Sequence, residues 1–272
     1  MIMRAVNRSK SNDRSGRFWR LGLLLVAIAI YAPVLVVILL SFNVSRYGTL
    51  PFKFTFQWYE QLAQDDGLIT SVFRSFGLAA AVAVVACVLG TSVALWIVRY
   101  ARKSLWPITG LLTAAITIPW LILAVATLLL AVRLGSGRGM VTLFLGSLVV
   151  VVPYVAFLVI ARLQGLGNNL EDAAASLGAS PITAFRLVTF PQISSAVTSG
   201  TFFAFIITFN NFPVQYFLAP FGFTTLPLEI YTMVRSGYEP NINALATILI
   251  VVSLVGALIF AATRRDRTKS AA

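Results

Sequence analysis

Runs of apolar positions dominate this chain, and six are long: about Leu21–Phe42, Ser71–Val98, Ile108–Leu134, Met140–Ala161, Ser195–Leu218 and Ile242–Thr263. About 20 consecutive apolar residues span the hydrocarbon of a bilayer as a helix. The pattern therefore predicts an all-α, polytopic membrane protein with about six transmembrane helices. No run has an acidic residue in its interior, and Arg74 and Arg133 sit at run ends, where a long side chain reaches the interface. The first run exceeds the roughly 7–15 apolar residues of a signal-peptide core and reads as a retained span. Three divisions follow: a basic N-terminal segment, 1–20; a transmembrane domain, 21–263, with a polar loop at 162–194; and a tail, 264–272.

The connections differ in charge. With both ends on one side, that side holds the N-terminus, 99–107, 162–194 and the C-terminus, and carries 15 of the 21 Lys and Arg residues. Cytoplasmic loops carry the excess of Lys and Arg, so both termini are expected in the cytoplasm. Residues 1–20 have little apolar content before Phe18. They are expected to be poorly ordered or to lie along the cytoplasmic headgroups. The long connections 43–70 and 219–241 fall on the opposite, polar side.

Composition agrees with this picture. The chain is 58% hydrophobic and 11% charged, against about 45–50% and 25% in soluble domains; lipid is the missing solvent. The net charge of +12 follows from the topology, which argues against a nucleic-acid partner. The single cysteine, Cys87, permits no intrachain disulfide or thiolate metal site and reads as a small buried hydrophobe.

The same inventory bounds the chemistry. There is no histidine, and no span has a charged residue in its middle. Asp65-Asp66 and Glu171-Asp172 lie in loops. No catalytic constellation is visible, so an enzyme is not expected. A secondary transporter coupled to protons or sodium needs titratable or ion-binding groups at mid-depth, and none is present. A phosphate-binding loop of the form GxxxxGKS or GxxxxGKT is absent, because none of the four lysines follows a glycine. Any ATP hydrolysis must then reside on another chain.

Several spans carry breakers. Pro33, Pro119, Pro153 and Pro213 each remove a backbone donor, so neighbouring groups must satisfy the freed carbonyls. Such helices pack inside a bundle or line a cavity. Ala79, Ala83, Ala86 and Gly90 recur at spacings of three and four on the second span, where small residues let helix backbones approach closely. Polar groups inside the fifth span are candidates for the solute pathway: Asn210, Asn211, Gln215 and Tyr216, with Trp120 and Tyr154 beside prolines elsewhere. Interhelical hydrogen bonding and aromatic packing explain the same residues. Adjacent side chains point about 100° apart on a helix, so one asparagine would face the pathway and the other a neighbouring helix.

Residues 162–194 predict two short helices. Asn168 or Asn169 can cap the first, with Glu171 and Asp172 in its first turn, where acids suit the helix dipole. Leu170, Ala173, Ala174 and Leu177 then share a face. Gly178 stands where a left-handed C-terminal cap belongs. Ser180-Pro181 reads as cap and first position of a second helix, which is expected to end before Pro191. The small residues at its centre suit close approach by another protein; packing on its own bundle is the equal alternative.

The pattern Asp-Ala-Ala-x3-Gly-x12-Pro, Asp172 to Pro191, resembles the EAA loop of ABC-importer permeases. Asp172 stands for the commoner Glu, and Phe190 for Leu. The stretches 31–48 and 224–255 are similar to the spermidine/putrescine branch of that family. The resemblance implies a type I ABC importer permease fold in the bacterial inner membrane. It also implies a coupling helix that docks on an ATPase through Glu171, Asp172, Ala173, Ala174, Gly178, Ala179, Ser180 and Pro191. The implied partners are an ATPase dimer holding ATP and magnesium, a second permease of different sequence and an extracytoplasmic binding protein. No cofactor or metal is expected on this chain. The implied solute is a polyamine. Permeases of that branch commonly carry acids where this chain has Asn210-Asn211, so an opine, an amino acid derivative or an aminophosphonate fits the local chemistry as well.

Overall fold

A computed structural model describes residues 13–45, 51–100, 106–166, 169–237 and 240–269. The described helices are α1 (Asp13–Leu40), α2 (Gln57–Ala63), α3 (Asp66–Tyr100), α4 (Trp106–Thr117), α5 (Trp120–Arg133), α6 (Met140–Gln164), α7 (Asn169–Ser176), α8 (Pro181–Ala184), α9 (Phe190–Asn210), α10 (Phe212–Leu218), α11 (Leu226–Ser236) and α12 (Asn241–Lys269). A π-turn, Phe185–Thr189, joins α8 to α9. Among the described residues, four helical stretches are long and apolar enough to cross a membrane: Trp19–Leu40, Asp66–Arg99, Met140–Gln164 and Pro181–Asn210. The bent pair α4–α5 forms a fifth apolar passage, and α12 is apolar over Asn241–Gly256. α1 begins inside the basic N-terminal segment, at Asp13; residues 1–12, Asn168 and 270–272 lie outside the described residues.

The chain divides into two compact units. One comprises Met1–Asp65 and Met233–Ala272. In it α12 packs against α1 and α2. The apolar window of α1 has none of its residues buried; a helix apolar all round requires a non-aqueous environment. The connection 43–70, expected to be a polar loop, is built. Asn43 and Phe54 form an antiparallel bridge. The Phe42 ring stacks on Phe54 and Tyr59 at 5.4 and 5.2 Å. The Trp58 indole donates to the Asn43 carbonyl at 2.8 Å.

The other unit, Asp66–Thr232, holds a three-helix core in which α3, α6 and α9 pack on one another. The expected small-residue face of α3 is buried: Ala79, Ala83, Ala86 and Gly90 all point inward. A Cβ on Gly90 would lie 2.7 Å from Val155 Cβ, and one on Gly200 would lie 3.2 Å from Val155 Cγ1. Val155 of α6 is thus wedged between the bare backbones of α3 and α9. Dispersion contacts at this range, rather than exclusion of water, hold helices together in lipid.

Two spans differ from expectation. The run Ile108–Leu134 is not one straight helix: α4 and α5 meet at 111°. Pro119 supplies no N–H and holds Ile118 out of the helical region, and α5 restarts on the Pro119 carbonyl, which accepts from Ile122 N at 2.9 Å. At 1.5 Å per residue, the 12 and 14 residues of α4 and α5 reach about 18 and 21 Å, short of the roughly 30 Å hydrocarbon layer. The run Ser195–Leu218 is also interrupted. α9 ends at Asn210, Asn211 adopts φ −80° and ψ 75°, and α10 starts one residue later.

Candidate functional site

The coupling loop takes the local structure its sequence calls for. α7 ends in a Schellman motif: Ala179 N donates to Ala174 O at 3.0 Å and Gly178 N to Ala175 O at 2.9 Å, with Gly178 at φ +82°. These bonds satisfy carbonyls that the helix end orphans, and the positive φ explains the glycine. Ser180 Oγ then accepts from Thr183 N at 3.3 Å, capping α8, with Pro181 in the first turn. Of the two proposed caps for α7, Asn169 is its first residue, and Asn168 is among the residues not described.

The second helix does not end before Pro191. It continues through the π-turn into α9, as a helical stretch from Pro181 to Asn210. Proline cannot donate to the carbonyl four residues back. The wider π-turn bonds Phe190 N to Phe185 O instead, and the Gln192 side-chain amide reaches back to Val188 O at 3.0 Å. Pro191 is therefore the start of a span rather than the end of the lever, and the lever is continuous with α9.

The outward face of this element is more apolar than its small residues suggested. Leu177 is 89% exposed and Ile182 76% exposed. Asp172, Ala173, Gly178 and Ser180 are also exposed, whereas Ala174 and Ala179 are half-buried. Leu177 does not share a packed face with its neighbours; the glycine turn carries it outward. Glu171 is bonded within the chain. Its carboxylate pairs with Arg99 at 2.5 Å and accepts from the Thr189 hydroxyl.

The pathway candidates separate. Asn211 is buried and caps α10, its Oδ1 accepting from Val214 N at 3.2 Å. Gln215 is buried between Thr208 O, to which its amide donates at 2.7 Å, and the Thr225 hydroxyl, which donates to its Oε1. Both bond to the backbone left open at the break. Asn210 is exposed and donates to Ile206 O at 3.0 Å. Tyr216 is exposed too, with its ring 5.6 Å from Tyr231, and both rings contact Phe212. Trp120 and Tyr154 are half-buried against the core, Tyr154 beside Phe203. Replacing Gln215 with leucine strips the buried Thr225 hydroxyl of its acceptor and leaves the Thr208 carbonyl only the 3.4 Å bond from Asn211 N, which costs about 1–3 kcal/mol. The expected result is a lower melting temperature of the purified protein with unchanged solute preference.

Two residues outside the sequence-level candidates fix the segment after the break. Arg138 donates to Ala219 O and Tyr216 O, both at 3.0 Å, and stacks on Phe221. Arg74 donates to Gly222 O at 3.0 Å. The run-end position of Arg74 suggested reach to the interface; both arginines bond to the backbone of 216–222.

Among the described residues, long apolar helices, broken spans and a helix–glycine–helix element define a polytopic membrane protein. The chain belongs to the family of binding-protein-dependent transport system inner membrane components, which its residues 86–266 match. It is 35% identical over 247 residues to the putrescine transport system permease protein PotI of Escherichia coli K12, covering 88% of each chain. It is 33% identical to the spermidine/putrescine transport system permease protein PotC of the same strain, covering 93% of this chain and 97% of that one. Among solved structures, a bacterial ABC transporter that imports the acidic polysaccharide alginate superposes with a TM-score of 0.70 over 93% of this chain and 96% of that one, at 15% identity. The MetNI methionine ABC transporter matches with a TM-score of 0.57 over 75% and 98%, at 19% identity. The fold is that of the type I ABC importer permeases, and the chain is a multi-pass protein of the bacterial inner membrane.

Proposed function

We propose that this chain is one of two permeases of an importer for a small amine, a polyamine foremost, driven by a separate ATPase. The observation that carries the reading is the continuity of the capped lever, α7 to α9, in a chain so similar to two polyamine permeases. ATP and magnesium sit on the ATPase dimer. ATP binding closes that dimer, its grooves carry the lever, and the pathway opens to an extracytoplasmic binding protein. The second permease is a different chain, both termini are cytoplasmic, and this subunit catalyses no reaction itself. Leu177, Ile182 and the small residues around Gly178 form the docking face. Tyr216 and Tyr231 supply exposed aromatic faces, which attract ammonium groups where no span offers a carboxylate.

That missing carboxylate favours a second reading: a singly charged or zwitterionic solute such as an opine, an amino acid derivative or an aminophosphonate. Uptake of radiolabelled putrescine and spermidine, in a strain lacking this gene and in its complemented counterpart, decides between them. Loss of polyamine uptake on deletion, restored by complementation, supports the first. Unaltered polyamine uptake overturns it, and loss on deletion of the uptake of a labelled opine, amino acid derivative or aminophosphonate then identifies the solute class.

A further inference from the structure

We propose that Arg99, Glu171 and Thr189 form a latch that makes the coupling lever drive α3 as well as α9. The three residues come from the last turn of α3, the first turn of α7 and the end of the π-turn. Their donors and acceptors close a ring. Arg99 donates to the Glu171 carboxylate at 2.5 Å and to the Thr189 hydroxyl at 3.2 Å, and that hydroxyl donates to the same carboxylate oxygen. The guanidinium also lies 6.0 Å from the centre of the Phe185 ring, at the other end of the π-turn. Thr189 is buried, so the ring is anchored on its inner side, while Arg99 and Glu171 are about one-third exposed.

The placement gives the latch a mechanical role. α9 needs no such device, because α8, the π-turn and α9 are covalently one helix. α3 has no such continuity, since 71 residues separate the last latch residue of α3 from the first of α7, and the latch joins its C-terminal end to the lever directly. α3 packs against both α6 and α9, so a lever tied to α3 moves two walls of the core together. Asp172, the next residue on α7, is exposed and about 100° around the helix. The two adjacent acids divide the work: Asp172 faces the partner and Glu171 grips the bundle.

This inference rests on the reading that a partner ATPase drives the chain. The test uses the complete transporter, with both permeases, the ATPase and the binding protein, in proteoliposomes. Hydrolysis of ATP is measured with and without the binding protein, and each stimulated rate is divided by the basal rate of the same preparation. In Arg99→Met and Glu171→Met the stimulation ratio is expected to fall by about fivefold or more, the size of a typical coupling energy. The charge-swapped pair Arg99→Glu with Glu171→Arg is expected to restore most of it. A ratio unchanged in the single variants overturns the latch, as does a loss that the swapped pair leaves unrepaired in a fully assembled complex. A wild-type complex that the binding protein fails to stimulate overturns the ATPase-driven reading itself, independently of the variants.

Discussion

Replacing Leu177 with aspartate is expected to leave the permease in the membrane at normal abundance while abolishing its retention of the ATPase and most of its uptake. Leu177 is the most exposed large residue of the lever, at the C-terminal cap of α7, and the substitution disturbs no internal contact. Burying a leucine side chain contributes about 1.5–3 kcal/mol, and a carboxylate forced against an apolar groove adds a desolvation cost. A loss of about 3 kcal/mol weakens association roughly 100-fold. Copurification of the ATPase from detergent extracts, beside uptake in whole cells, measures it. Leu177→Met, which keeps apolar volume, is expected to retain both. Full retention of the ATPase by the aspartate variant would remove Leu177 from the docking face.

The second large effect lies in the core. Gly90→Ala is expected to destabilise the protein by about 1–3 kcal/mol, the usual range for overpacking, and Gly90→Leu is expected to yield no folded protein. The added Cβ meets Val155 Cβ at 2.7 Å and Val155 Cγ1 at 2.8 Å, and the backbone nitrogen of Ala156 at 3.1 Å. Trimming the valine to alanine removes the conflict with Cγ1 and leaves those with Val155 Cβ and the Ala156 nitrogen. The double variant Gly90→Ala with Val155→Ala is therefore expected to be more stable than the two single losses imply, by about 0.5–3 kcal/mol, without regaining the stability of the parent. Thermal unfolding of the four proteins in one detergent closes the cycle. Strict additivity would show that α3 and α6 separate at this crossing rather than clash.

Sequence alone displays what depends on near neighbours. Gly178, Ser180 and Pro181 each announce a backbone geometry that a few adjacent residues determine, and each adopts it. The apolar runs likewise mark the helices, because crossing hydrocarbon sets a minimum length. Pro119 marks a break, but its 111° bend depends on how α5 packs against α6 and α10. Asn211 and Gln215 show that a polar residue within an apolar run has two explanations, and which holds depends on where the backbone is broken. α2 and α11 are too short for a spanning pattern and hide in connections that read as polar. Glu171 and Asp172 are chemically alike; what separates them is an arginine 72 positions away.

The bend at Pro119 constrains how the protein is made. An ordinary span can leave the insertion machinery alone, since its backbone is satisfied within itself and its length matches the bilayer. Neither α4 nor α5 has that length, and the backbone at the Ile118–Pro119 break lacks helical partners on one side. Lipid offers it none. The pair must therefore be handed over as a unit and sheltered by the helices it packs against, α6 and α10, so both have to be synthesised before this part of the membrane domain can settle.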